Sequence, residues 1–155
     1  MATAVTSIVS ANDTASLLPA GSKAARLCRY AHFLLAQAEE FDLNGDPNTA
    51  FEYFYRAALR VGAARVALSP IGARKRKPKG VWEQLKMVDR TCVDWAKAFE
   101  ALALTRRRAA TFASYTVSEE ALVQIRDLVE RFLVDTEFDG VPDPVDPGMG
   151  GGKAA

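Results

Sequence analysis

The stretch from Val81 to Thr111, VWEQLKMVDRTCVDWAKAFEALALTRRRAAT, decides the fold class. Its large apolar residues recur at steps of three or four, which form one continuous stripe on a helix with 3.6 residues per turn. The residues of this stripe are Trp82, Leu85, Val88, Cys92, Trp95, Phe99 and Leu102. A stripe of this size has to be covered by other helices, so the stretch predicts one long helix inside an all-α domain.

Two helices are predicted before this stretch. The first begins at about residue 21, with Ser22 as its N-cap, and ends near Asn44-Gly45, because glycine readily adopts the left-handed conformation that terminates helices. The second begins at Asp46-Pro47, since Asp caps a helix and Pro suits its first position, and it runs to about Leu68. The short connection between them makes these two helices antiparallel neighbours.

A final helix is predicted after the stretch, from a cap at either Thr116 or Ser118 to a stop at Gly140. Residues 1–19 are small, polar and weakly patterned, and residues 140–155 are rich in Pro and Gly. Both segments are expected to be disordered, which places the helical domain at residues 20–139. The fold class predicted from the sequence is therefore all-α, as a four-helix antiparallel up-down bundle.

The charge of the chain is distributed unevenly, although the formal net charge is only +1. From Arg56 to Arg108 there are fourteen Lys/Arg and four Asp/Glu, a balance of +10, and the remainder carries −9. The middle of the chain is thus suited to contact a polyanion. Alternatively, the two parts neutralise each other within the fold or across a dimer.

Two basic clusters are the candidate nucleic-acid-binding residues. The first is a loop that contains Arg74, Lys75, Arg76, Lys77 and Lys79, and the second consists of Arg106, Arg107 and Arg108. Either cluster could bind phosphates electrostatically. Alternatively, the loop only keeps the surface hydrated, and the arginines complement the dipole of a helix end. If the helix between the clusters is unbroken, they lie roughly 35–40 Å apart and cannot form one patch on a monomer.

Enzymatic chemistry finds little support in the sequence. His32 is the only histidine, so a His-rich metal site is excluded, and the sequence places neither a Ser nor a Cys beside it. Cys28 and Cys92 lie in apolar helical patterns and are expected to be buried, reduced thiols of an intracellular protein. No phosphate-binding glycine motif occurs. Neither a cofactor nor a metal is therefore predicted.

One short segment imitates a calcium loop. Asp42, Asn44 and Asp46 occupy the spacing of its first three ligands, but Pro47 and Tyr53 stand where the loop requires Gly and Glu. The segment is better explained as the turn between two helices. No signal peptide and no apolar run of ~20 residues occurs, so the expectation is a cytoplasmic protein that does not span a membrane.

The arrangement resembles the HEPN domain superfamily, and within it a small actinobacterial HEPN family. The residues that carry the resemblance are KPKGVWEQL at positions 77–85, Trp95-Ala96, and the Ala- and Arg-rich end of the third helix. It covers roughly residues 22–138. The resemblance implies a helical domain, and the ribonucleases of the superfamily are metal-independent dimers whose paired motifs meet at the dimer interface.

Those ribonucleases carry an Arg that is followed, after four to six residues, by a His near the start of the last helix. Arg106, Arg107 or Arg108 could occupy the Arg position, but the window from Thr111 to Tyr115 contains no histidine. Without an imidazole, no obvious general acid or base is available. The resemblance then implies a non-catalytic domain that associates with another copy, a protein or RNA.

Two alternatives stay open at the level of the sequence. One is a degenerate ribonuclease of the toxin or defence type that uses Arg106–Arg108 and Tyr115. The other is an adaptor resembling tetratricopeptide-repeat proteins, whose helical hairpins hold a peptide in a concave groove rather than enclosing a core.

Overall fold

The computed structural model describes residues 16–139, and within them the regular structure is entirely helical. The elements are α1 (Lys23–Leu43), α2 (Pro47–Ala67), a 3-10 helix (Pro70–Ala73), α3 (Val81–Lys86), α4 (Arg90–Glu100), α5 (Ala103–Thr111), α6 (Glu119–Val134) and a π-helical turn (Asp135–Asp139). The all-α class is therefore confirmed. The disorder expected for residues 1–15 and 140–155 falls outside the described residues.

The helix starts follow the side-chain caps that the sequence offers. Ser22 Oγ accepts a hydrogen bond from the backbone N–H of Ala25 at 3.1 Å, and Asp46 Oδ1 accepts one from Thr49 at 3.2 Å. Gly45 has φ +76°, the left-handed conformation that ends α1. Of the two caps considered for the last helix, Ser118 is the one used, since its Oγ accepts from Ala121 N–H at 3.1 Å.

The single long helix predicted from Val81 to Thr111 is wrong, because the structure divides it into α3, α4 and α5. The first break occurs where Asp89 adopts an extended backbone and caps α4, its Oδ1 accepting from the N–H of Cys92 at 2.8 Å. The second break is a tightened turn at Leu102, whose N–H donates to the carbonyl of Phe99 at 3.0 Å. Capping at Asp89 thus competes successfully with helix continuation.

The apolar stripe still faces the core despite these breaks. Trp82, Leu85, Cys92, Phe99 and Leu102 are buried, and the two remaining members pack partly buried against them. The ring of Trp82 stacks on Phe99 with centroids 4.9 Å apart, and Phe99 lies 5.5 Å from the ring of Phe132 on α6. These ring contacts join α3, α4 and α6 in one closed core.

Helix α2 occupies the centre of the domain. It packs antiparallel against α1 along its length, and it also contacts α3, α4, α5, α6 and the π-helical turn. More than half of its residues are buried, with Phe51, Phe54 and Val61 fully inaccessible to solvent. None of the helices between residues 16 and 139 is both long and apolar enough to cross a membrane.

The two ends of the described chain meet beside α1 and α2. The N–H of Leu17 donates to the carbonyl of Glu137 at 2.9 Å, and Leu18 is buried in the core. The buried guanidinium of Arg65 donates to the carboxylate of Asp135 and to Thr136 Oγ1. The packed domain therefore begins a few residues before the boundary expected at residue 20.

The closest approach between α2 and α3 occurs at Gly62. A Cβ on Gly62 would lie 2.7 Å from Cγ1 of Val81 and 3.0 Å from Cζ3 of Trp82. The indole ring of Trp82 cannot move away easily, because it stacks on Phe99 and donates a hydrogen bond to Tyr55 Oη. Glycine is thus required here by the space available rather than by backbone conformation.

We predict that Gly62→Ala destabilises the domain. The cost of overpacking, about 1–3 kcal/mol, exceeds the gain in helix propensity of roughly 1 kcal/mol. The expected result is a lower midpoint of urea unfolding, measured by circular dichroism. Ala36→Ser, which also adds one non-hydrogen atom but on the exposed face of α1, should change the midpoint little. A Gly62→Ala variant as stable as the wild type would contradict the tight contact.

Candidate polyanion-binding sites

The basic loop between the 3-10 helix and α3 presents its cations to solvent. Arg74, Lys75, Arg76, Lys77 and Lys79 are all exposed. Within residues 16–139, none of these five side chains forms an ion pair. The loop therefore carries positive charge that no carboxylate of the described chain neutralises.

The backbone of this loop is held at both ends. Lys77 Nζ donates to the carbonyl of Gly72 at 2.9 Å, and Gln84 Nε2 donates to the carbonyl of Pro78 at 2.6 Å. The N–H of Arg74 donates to the carbonyl of Ile71 at 3.1 Å. These bonds reduce the entropy that the loop would lose when it binds a ligand, so its charges are partly preorganised.

The three arginines of α5 differ in their surroundings. Arg106 binds both carboxylate oxygens of Glu52, with Nε and Nη2 each at 2.9 Å, and its guanidinium lies 4.5 Å from the ring centroid of Tyr55. Arg107 and Arg108 are exposed and make no ion pair in the described part of the chain. Arg106 is therefore engaged within the fold, whereas its two neighbours remain available to a ligand.

Glu52 links α2 to α5 through Arg106 and also pairs with Arg56 on its own helix. It accepts from Arg106 and, at 2.8 Å, from Nε of Arg56. The hydrogen bond from Arg106 holds the pKa of Glu52 below its usual value, against the opposing effect of burial. The same bond raises the pKa of Arg106 above its ordinary value. Both groups are thus charged and mutually neutralised at neutral pH.

The ring of Tyr55, over which the guanidinium of Arg106 lies, belongs to the aromatic core. Its Oη accepts from Nε1 of Trp82 at 2.9 Å, and burial raises the pKa of its phenol. Arg106 therefore lies over a buried ring whose hydroxyl already accepts a hydrogen bond from Trp82 in the core. The contacts of Arg106 are those of a residue that fastens α5 to α2.

A surface cleft of about 650 Å³ opens between the first three turns of α2 and the second half of α5. Its polar lining includes Asn48, Glu52, Arg56, Arg106 and Arg107. The amide of Asn48 is already used, since it donates to the carbonyl of Tyr115 and accepts from the N–H of Val117, both at 2.8 Å. Most polar groups of this cleft thus serve the fold, and Arg107 is its one cation without an ion pair among the described residues.

His32 lies far from the arginines of α5. Its Nε2 is 3.0 Å from Oε1 of Glu137, which is buried at the π-helical turn. The same turn is bound by Arg65, thirteen positions after Glu52 on α2, which is roughly 20 Å along the helix axis. The structure therefore does not bring the single histidine to Arg106–Arg108 within one chain.

The two cysteines are unsuited to nucleophilic chemistry. Cys28 and Cys92 are both buried free thiols, as predicted. Burial raises the pKa of Cys28 to about 12 and that of Cys92 to about 11. Because the thiolate is the reactive form, both thiols are inert near neutral pH.

The two basic clusters lie at opposite ends of α2. The Arg106 cluster contacts Glu52 near the start of this helix, whereas the basic loop follows its end at Ala67. Fifteen residues of helix separate these positions, which corresponds to roughly 22 Å. The separation of roughly 35–40 Å predicted for an unbroken third helix does not apply, because that helix is broken, and α2 is what lies between the two clusters.

A family model described as SAV_6107-like HEPN matches residues 42–137, which is more than half of the chain. The chain belongs to this HEPN family. The matched region contains α2 to α6 and both basic clusters, and it leaves out most of α1. Comparison with curated proteins and with solved structures found no match.

The closed core and the HEPN family match together do not support the adaptor resembling tetratricopeptide-repeat proteins. Sequence reasoning placed Arg106 in a candidate binding site but missed its partners. Glu52 and Tyr55 lie one helical turn apart on α2, and no local signal marks them as partners of a residue more than fifty positions later.

We predict that Glu52→Gln lowers the free energy of unfolding at pH 7 by about 1 kcal/mol, a modest value because the carboxylate is partly exposed. Since the pKa of Glu52 is lowered in the folded state, its stabilisation is complete above the unfolded value of 4.5 and is lost as the pH falls through the folded value. The difference from wild type should therefore shrink from pH 7 to about pH 3, as measured by urea unfolding.

A matched control for this variant is Glu40→Gln on α1. Glu40 is exposed and makes no ion pair among residues 16–139. This substitution should leave stability nearly unchanged at both pH values. Equal effects of the two substitutions at pH 7 would show that the Glu52 ion pairs contribute nothing to stability.

Proposed function

We propose that this HEPN domain acts by association rather than catalysis, and that it binds RNA through the loop from Arg74 to Lys79. The observation that carries the proposal is the loop itself, whose five exposed cations have no carboxylate partner within the described chain. Phosphate contacts of this kind provide most of non-specific nucleic-acid binding. RNA is the favoured polyanion, because the ribonucleases of the superfamily act on it.

The surroundings of the α5 arginines support a non-catalytic role. Arg106 is neutralised by Glu52 and stacks over Tyr55, so it is poorly placed to stabilise developing charge on a substrate. His32 is paired with Glu137 at the opposite end of α2. Arg107 and Arg108 are well suited to make a second phosphate contact, separate from that of the loop.

We predict that Arg74→Gln/Lys75→Gln/Arg76→Gln weakens RNA binding strongly at physiological salt. If three phosphate contacts are lost, the slope of log affinity against log salt should fall by about 2 for a single strand. Fluorescence anisotropy with a labelled RNA over a range of salt concentrations measures both quantities. Arg90→Gln/Lys97→Gln/Arg131→Gln removes the same charge elsewhere and should change binding much less. Equal losses in the two variants would contradict a role specific to the loop.

We further predict that the purified protein does not cleave RNA above background. The measurement is gel electrophoresis of labelled RNA after incubation with wild type, beside Arg107→Ala/Arg108→Ala and a buffer control. Cleavage by wild type that disappears in the variant would overturn the non-catalytic proposal in favour of a degenerate ribonuclease. Cleavage that is equal in both proteins would indicate a contaminating nuclease, which repurification has to remove before the comparison counts.

A further inference from the structure

The exposed face of α1 carries two aromatic rings that the core does not use. Tyr30 is 45% exposed and Phe33 is 55% exposed, and their rings are stacked with centroids 6.1 Å apart and an interplanar angle of 16°. The buried face of α1 consists of Ala24, Cys28, Ala31, Leu34 and Ala38. The two rings therefore lie beside this face and are partly exposed to solvent. Packing of the core does not explain this exposed apolar area.

Cations surround this ring pair. The guanidinium of Arg60 on α2 lies 5.0 Å from the ring centroid of Tyr30. Arg29 is exposed on α1, and Arg26, also exposed, donates to the carbonyl of Gly21 at 2.6 Å. None of these three arginines forms an ion pair within the described chain. The rings are thus set in a positively charged part of the surface.

Carboxylates are scarce in the same region. No Asp or Glu occurs on α1 before Glu39. Two acidic groups of the C-terminal turn are already paired, Glu137 with His32 and Asp135 with Arg65. A ligand that approaches this pair therefore meets the exposed parts of two aromatic rings beside arginines that no described carboxylate neutralises.

The ring pair lies near the middle of the α1–α2 hairpin, since Phe33 is the central residue of α1 and Arg60 lies seven residues before the end of α2 at Ala67. Tyr30 is beside Arg60, and Phe41 is 5.0 Å from Tyr53, so the two helices run antiparallel with the start of α1 level with the end of α2. The chain continues from the end of α2 through the 3-10 helix into the loop at Arg74. The rings therefore lie roughly 10 Å along the axis of α2 from the end of this helix that leads into the loop.

We propose that Tyr30 and Phe33 form a stacking platform for the bases of single-stranded RNA, with Arg26, Arg29 and Arg60 contacting its phosphates. Unpaired bases stack on exposed aromatic rings while basic side chains follow the backbone, which is how single strands are bound without sequence preference. A duplex has its bases already stacked and cannot use the rings. This inference rests on the proposed RNA association, and it names a base-binding surface whose two rings lie outside the region matched by the family model.

The test compares Tyr30→Leu/Phe33→Leu with Tyr30→Phe/Phe33→Tyr by fluorescence anisotropy. Both pairs keep exposed apolar side chains, but only the second keeps two aromatic rings. The leucine variant should bind labelled single-stranded RNA roughly tenfold more weakly, with an unchanged salt slope because the phosphate contacts remain. The aromatic variant should bind like wild type. Binding of duplex RNA, and competition by inorganic polyphosphate, should be the same in all three proteins.

Circular dichroism melting of each variant checks that the exposed substitutions leave the fold intact. Unchanged affinity of the leucine variant for single-stranded RNA would overturn the platform, and so would an equal loss for single-stranded and duplex RNA.

The two RNA proposals fail in distinguishable ways. If the loop variant loses RNA and the leucine variant does not, only the platform is wrong. If the leucine variant loses single-stranded RNA and the loop variant binds normally, the loop is wrong and the platform stands. Absence of RNA binding by the wild-type protein would overturn both.

Discussion

The burial of α2 is the constraint on which the rest of the structure depends. This helix is contacted by every other α-helix and by the C-terminal π-helical turn. Its aromatic residues lie in its first half, and the alanines and the glycine of its second half leave room for close neighbours. At Gly62 the approach is so close that Val81 and Trp82 fill the space of a side chain. A helix enclosed in this way organises a single core, since each neighbour buries its apolar face against it.

The same constraint separates the polar groups of the domain. Because α2 is about 30 Å long, residues fastened to its two ends cannot meet within one chain. Glu52 and Arg106 are at one end, whereas Arg65, Glu137 and His32 are at the other. Each of these side chains forms an ion pair with another side chain of the domain. Among residues 16–139, the exposed cations outside these networks include those of the basic loop, Arg107 and Arg108 on α5, and Arg26 and Arg29 on α1.

The local signals in the sequence were reliable where a single side chain acts on nearby backbone. Ser22 and Asp46 cap their helices as predicted, because a cap requires only the N–H groups two or three residues later. Asp89 carried the same kind of signal, yet the apolar periodicity around it predicted one uninterrupted helix. The periodicity correctly identified the buried residues but not the helix boundaries. Both breaks preserve the direction in which the large side chains point, so the pattern alone does not reveal them.

The sequence by itself determined the all-α class, the buried side chains, the helix caps and the presence of two basic clusters. It also determined that the histidine expected after Arg106–Arg108 in the related ribonucleases is missing. Only the tertiary structure decided which charges remain free, since Glu52 neutralises Arg106 while no described carboxylate reaches the loop. It also placed Arg60 beside Tyr30 and Phe33. The physical reason is that periodicity and capping act over a few residues, whereas ion pairs and stacked rings join groups that are distant in the chain.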